Sequence, residues 1–244
     1  MLLPFAAVIL AAGPIADAAC YGRLVETLSR MRNDARTVEI DFTLERRDAI
    51  SFQPQTFTGQ FVALRTDTGT YAQLRLRGDE SGEEETYVLR GDDLTEWRTL
   101  TKTVTRYPAS QTKGALRFAA DNFSGLVWLL DSESAARHLQ PRVVKRDKWF
   151  AYLDVKTDEA PLLALFGKPR PITGNYRIVV SMTETAKHPK NTIRQVFRVK
   201  PSGETESWKV TKWTVDSRDH TKVIPSDFPD PNKPPQGWTV QTLK

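Results

Sequence analysis

The feature that most constrains this chain is a two-residue rhythm that keeps returning. In TVEIDFTLERR, Val38, Ile40, Phe42 and Leu44 alternate with Thr37, Glu39, Asp41, Thr43 and Glu45. Successive side chains of a strand point to opposite faces, so this is a strand with one apolar and one wet face. Phe57, Gly59, Phe61 and Ala63 mark a second strand. Ala72, Leu74 and Leu76 mark a third, with Gln73, Arg75 and Arg77 facing out. RVVKRDKWFAYLDVKT reads as a hairpin around Arg146-Asp147, and NYRIVVSMTE, IRQVFRVK and ESWKVTKWTVD as three more strands. The total is about ten or eleven strands, more than a flat open sheet carries without curling.

The turns between them are short. Arg-Gly-Asp occurs twice, in LRGDE at Leu76–Glu80 and in LRGDD at Leu89–Asp93. Read as a bare string it is an adhesion tripeptide. Read in its pattern, each Arg ends a strand and each Gly-Asp supplies the backbone freedom and local hydrogen bonds of a turn. Three segments break the rhythm. Leu24, Leu28 and Met31 recur at helical spacing in YGRLVETLSRMRN. Phe123, Leu126, Val127, Leu129 and Leu130 form an apolar helical face, followed by a second turn of helix that ends before Pro141, and DEAPLLALFGKPRP reads as a short apolar helix or loop. The tail SDFPDPNKPPQGWTVQTLK is Pro-rich and reads as extended. The fold class expected is mainly β with a few α-helices: a strongly curved antiparallel sheet, an incomplete β-barrel wrapping short helices.

The first residues follow other rules. MLLPFAAVILAAGPIADA has no charge before Asp17 and ends in Ala16-Asp17-Ala18, a small-x-small cleavage pattern. The apolar run is shorter than the roughly 20 residues of a spanning helix. Residues 1–19 read as a secretory signal and 20–244 as one domain. The sole cysteine, Cys20, allows no internal disulfide, so the fold must stand on its core. Its place behind a signal makes it a candidate for lipidation, with Asp17 where a Leu is expected. The other reading leaves it as a thiol in a flexible tail. The expected location is periplasmic or secreted, with anchoring through Cys20 as the variant.

Charge excludes little. The formal net charge of +5 favours anionic partners, but Lys+Arg 35 against Asp+Glu 30 describes a solvated mixed-charge surface, and no nucleic-acid partner is expected. His138, His188 and His220 are scattered, so no metal site is expected. No nucleophile elbow, phosphate loop or dinucleotide fingerprint is present, and the carboxylates sit in turns or on wet faces. A non-enzyme with no cofactor is the expectation; an enzyme acting on envelope glycans or lipids would need a buried carboxylate pair. Six tryptophans are the more informative group. They pack a core or line an apolar cavity between sheet and helices.

The order of elements resembles the periplasmic outer-membrane lipoprotein carrier family, the LolA type. VEIDFTLER is similar to the family's acid-F-x-Q strand. Gly59-Gln60-Phe61-Val62-Ala63-Leu64-Arg65 is similar to its G-x-[FL]-x-[LV]-x-R strand. Gly91-Asp92-Asp93-Leu94-Thr95-Glu96-Trp97 resembles its D-G-x-x-L-W hairpin with Asp in place of Gly, and Phe228 followed by Pro235-Gln236-Gly237 its closing segment. The block from Asp121 to Thr157 looks closer to a secreted branch of LolA-like proteins than to the carrier itself. The resemblance implies a monomeric carrier of lipid or acylated lipoprotein, with an inner- or outer-membrane protein as its partner. The family's inward arginine has no counterpart in Arg75, which alternation turns to water. Phe42, Phe61, Leu74, Trp97, Phe123, Trp128, Leu129, Leu163 and Phe166 are the candidate lining residues, chosen as large side chains on inward faces or helices. An envelope sensor or interaction module on the same fold is the alternative.

Overall fold

The computed structural model describes residues 19, 20, 22–24, 26, 27, 30, 34–50, 53–91, 93–107, 139–157, 175–199, 203–215 and 223–242. The described residues between 19 and 34 are helical and form α1. The strands are β1 (Thr37–Arg47), β2 (Pro54–Thr66), β3 (Gly69–Gly78), β4 (Glu84–Arg90), β5 (Asp93–Arg98), β6 (Thr103–Tyr107), β7 (Leu139–Arg146), β8 (Phe150–Thr157), β9 (Asn175–Ser181), β10 (Ile193–Val199), β11 (Thr205–Val215) and β12 (Thr239–Thr242). They form one 12-stranded sheet in the order β12-β6-β5-β4-β3-β2-β1-β11-β10-β9-β8-β7. The sheet is open, with β12 and β7 at its edges. Pro141 falls in β7, where an edge strand tolerates a missing N–H. The helical turn expected to end before Pro141 lies outside the described residues, except for Leu139 and Gln140, which begin β7.

Alternation dictates which face is buried. Val38, Ile40, Phe42 and Leu44 are buried and pair with Ala63, Phe61, Gly59 and Phe57 of β2. Phe61 in turn pairs with Leu74, and Leu74 with Tyr87. Past β1 in the other direction, Leu44 faces Trp208, Trp208 faces Val196, Val196 faces Ile178 and Ile178 faces Leu153. A bulge at Asp41/Phe42 keeps both halves of β1 in phase with β11. These residues belong to one apolar cluster with members from β1 to β11, and Cys20 and Leu24 of α1 pack into it.

The opposite face is wet over β1 but not over β2 to β6. There Leu64, Val88, Trp97 and Val104 form a second cluster with Phe228, flanked by Val62, Tyr71, Val223 and Trp238. The C-terminal segment is therefore more than an extended tail. A single 3-10 turn at Pro225–Asp227 leads to Phe228, and β12 adds to β6 as a parallel strand, the one parallel pair among the described strands. Arg90 donates to the Phe228 carbonyl, and Arg106 Nη2 donates to the Pro231 carbonyl at 2.6 Å and to Asn232 Oδ1 at 3.1 Å.

Both Arg-Gly-Asp repeats lie where β3 and β4 end. Gly91 takes a left-handed φ of 60° in the β4–β5 connection. In the first repeat Gly78 is the last residue of β3, and Gly82, at φ 65°, is the residue that turns left-handed. Gly78 N–H instead bonds the Glu83 carbonyl at 2.8 Å.

Candidate functional site

Three expected lining residues come together. Phe42, Phe61 and Leu74 sit on the main apolar face in adjacent strands. The Phe42 ring lies 5.2 Å from the Trp208 ring, tilted by 49°. It fits because Gly59, its partner in β2, has no side chain. The three are only 1%, 1% and 0% exposed, so they are covered on every side in this conformation. An acyl chain reaches them only if what covers them moves. Phe123, Trp128, Leu129, Leu163 and Phe166 lie outside the described residues, as do the apolar helical segments that carry them.

Trp97 is elsewhere. It belongs to the second cluster on the other face, 5.9 Å from the ring of Trp238. The reason is register: Leu94 pairs with Tyr107 and Glu96 with Tyr87 on the main face, which sends Thr95 and Trp97 outward beneath the C-terminal segment. Its indole Nε1–H donates to Thr95 Oγ1 at 3.1 Å.

What occupies the main face at β5 is a polar group that sequence reasoning missed. Glu96 is buried; its Oε2 accepts from Tyr107 Oη at 2.7 Å and its Oε1 from Arg98 Nε at 2.7 Å. The Tyr87 hydroxyl reaches Glu85 Oε2 at 3.2 Å and Glu96 Oε1 at 3.5 Å. Burial pushes the Tyr87 phenol up from its ordinary value, and the charges of Glu85 and Glu96 push it further. The hydrogen bond to Glu96 raises Arg98. Both Glu96 oxygens are engaged, so the arrangement is a satisfied polar network inside an apolar face. Nearby on the same face, Arg46 and Arg198 each stand 3.7 Å from a Glu206 oxygen, and Arg46 lies 5.1 Å from the Phe57 ring centroid.

A second group was within reach of the motif but unread. Arg65 ends the Gly59–Arg65 pattern and, two residues beyond Ala63, faces inward. Its Nη2 donates to the Ala35 carbonyl just past α1 at 3.0 Å, and its backbone N–H to the Arg36 carbonyl at 2.8 Å. Arg75 is exposed and pairs with Glu84 at 3.3 Å. Cys20 is helical and 2% exposed in the main cluster rather than in a loose tail. A thioether-linked lipid on its sulfur would have no room without displacing that end of α1. Of the three histidines only His188 is described; it is buried.

No protein-family model matches the sequence, and no curated protein matches it. Solved structures do. An uncharacterized conserved protein from Thermus thermophilus is similar at TM-score 0.51 and 9% identity, over 91% of this chain and 99% of that one. A LolA superfamily protein from Nitrosomonas europaea is similar at TM-score 0.42 and 7% identity, over 87% and 99%. A DUF1329 family protein from Desulfovibrio piger is similar at TM-score 0.42 and 10% identity, over 82% and 93%. At such identities the likeness concerns the fold. What is shared is an architecture of mostly strands, in an open sheet with a helix against its main apolar face.

Proposed function

We propose that this chain is an exported, LolA-like carrier that shelters the acyl chains of a lipid or lipoprotein against the main apolar face of its sheet, without catalysis. The observation that carries the reading is that face: one continuous apolar cluster from β1 to β11 on a sheet that does not close. Each methylene taken out of water is worth about 0.8 kcal/mol, so a chain in transit through water gains much from such a face. Phe42, Phe61 and Leu74 would form the floor, with Phe123, Trp128, Leu129, Leu163 and Phe166 completing the lining. Trp97 does not belong to it. Because the floor is fully covered, loading requires an opening, and the contacts that close it must be weak enough to break. Residues 1–19 would direct export and be removed, leaving 20–244 as one domain.

The test is native mass spectrometry of the chain purified from its own envelope, followed by organic extraction, with binding of a fluorescent fatty acid measured in parallel. A co-purifying lipid or acylated peptide that is lost in Leu129→Glu supports a carrier. An empty protein that also fails to bind the fatty acid overturns it and leaves a protein-interaction module as the reading. The same spectrum reads the N-terminal mass and so the state of Cys20.

A further inference from the structure

The tip of the β7–β8 hairpin does something that the core does not require. The Asp147 carboxylate accepts the backbone N–H groups of Trp149 and Phe150, both at 2.7 Å, and the Asp147 N–H donates to the Phe150 carbonyl at 2.9 Å. The turn thus consumes the acid. The Trp149 carbonyl accepts from Met182 N–H at 2.8 Å, which pins the tip to the β9–β10 connection. On this fixed tip Trp149 is 53% exposed and Val144 51% exposed. Lys148 Nζ stands 5.0 Å from the Trp149 ring centroid.

Exposed cations share this end of the sheet. Lys145, Arg146 and Lys148 are exposed on the hairpin. The β9–β10 connection emerges at the same end of the sheet, since Phe150 pairs with Ser181 and Val180 with Ile193. It adds exposed Lys187 and Lys190. The exposed acids of these two segments are Asp147, already engaged in the turn, and Glu184. A Lys-rich edge also keeps a sheet from pairing with another, and that accounts for the charges near β7. It does not account for a half-exposed indole on a pinned turn.

We infer that this end of the sheet docks on an anionic lipid bilayer. Trp149 and Val144 enter the headgroup layer while the five cations meet anionic headgroups. An indole beside lysines suits that layer, because its ring is apolar and its N–H is not. Two apolar side chains are too small a surface for a protein interface, which buries about 800 Å² per partner. A bilayer needs no such area, since each cation near it contributes separately. The inference concerns where the protein docks and stands whether or not its interior carries lipid.

Vesicles of phosphatidylcholine, with and without phosphatidylglycerol, test it by co-sedimentation with the full chain at low salt. The wild type is expected to partition onto the phosphatidylglycerol vesicles only, and to come off in high salt. K145Q/K148Q is expected to lower that partitioning about 30-fold, the loss expected for two cations near an anionic surface. Trp149→Ser should lower it several-fold, and the fluorescence lost in Trp149→Phe should be the part that shifts to the blue on binding. All three positions are exposed, so unchanged circular dichroism is expected throughout. An acylated Cys20 would hold every variant on both vesicle types alike, so the comparison uses protein whose N-terminal mass shows an unmodified Cys20. Equal sedimentation of variants and wild type, equal partitioning onto both vesicle types, or no sedimentation at all overturns the inference.

Discussion

Gly59 has a steric reason to be glycine, and it can be tested. A Cβ at this position would lie 2.0 Å from Cε2 and 2.2 Å from Cζ of Phe42. Carbon atoms rest about 3.5–4.0 Å apart, so one partner must move by about 1.5 Å. Phe42 has nowhere to go: it is 1% exposed and packed on Trp208. Overpacking of this kind costs about 1–3 kcal/mol. Alanine recovers about 0.5–1 kcal/mol because it loses less backbone freedom than glycine in a strand. Gly59→Ala should therefore destabilise by about 1 kcal/mol if the ring and both strands hold. In a chain of this size that lowers Tm by roughly 2–4 °C. Phe42→Leu removes the clashing ring edge and by itself costs about 1 kcal/mol. The double variant should then be more stable than the sum of the two losses by about 1 kcal/mol, measured by urea unfolding. A neutral or stabilising Gly59→Ala, or strictly additive losses, would show that the ring is not held against this glycine. The candidate ligand face would then be softer than the geometry says.

Three further predictions rest on other elements. Tyr87 keeps its proton more tightly in the folded state, so above its ordinary value of 10.0 the unfolded chain loses a proton that the folded one retains, and stability falls with rising pH. Urea midpoints should drop more steeply above that pH in the wild type than in Tyr87→Phe; parallel curves would remove Tyr87 from the account. Phe228→Ala should cost about 3–5 kcal/mol at the second cluster and open the C-terminal segment to protease while β1–β4 stay protected; an unchanged digestion pattern would mean the segment is held by its arginine bonds alone. Arg65→Met removes a charge-assisted bond worth roughly 1.5–3 kcal/mol, and amide exchange in α1 should quicken about tenfold or more, with the sheet unchanged.

How much was legible depended on whether a strand has a wet face. β1 has one, and Glu39, Asp41 and Thr43 announce it, so the inward set Val38, Ile40, Phe42 and Leu44 could be read directly. β5 has none. In DLTEWR, Leu94, Thr95, Glu96 and Trp97 are buried in succession, because the C-terminal segment covers the face that water would otherwise take. Size then points to Trp97 as the inward residue, and the parity is in fact that of Leu94 and Glu96. The carboxylate is tolerated there because Tyr107 arrives from β6 and Arg98 from two residues along the same strand. Only the β5–β6 register brings Tyr107 into reach, and no local window displays a register. The same holds for the tail, whose Pro-rich composition reads as extended while its fate is decided by Arg90 and Arg106, more than a hundred residues earlier. Arg65 is the intermediate case. Its parity with Phe61 and Ala63 places it inward from sequence alone, and a buried-face guanidinium demands an acceptor. The acceptor is the Ala35 carbonyl, just beyond the helix. An inward arginine at the end of an apolar strand was thus the readable sign that something polar, the end of α1, is fastened to this face.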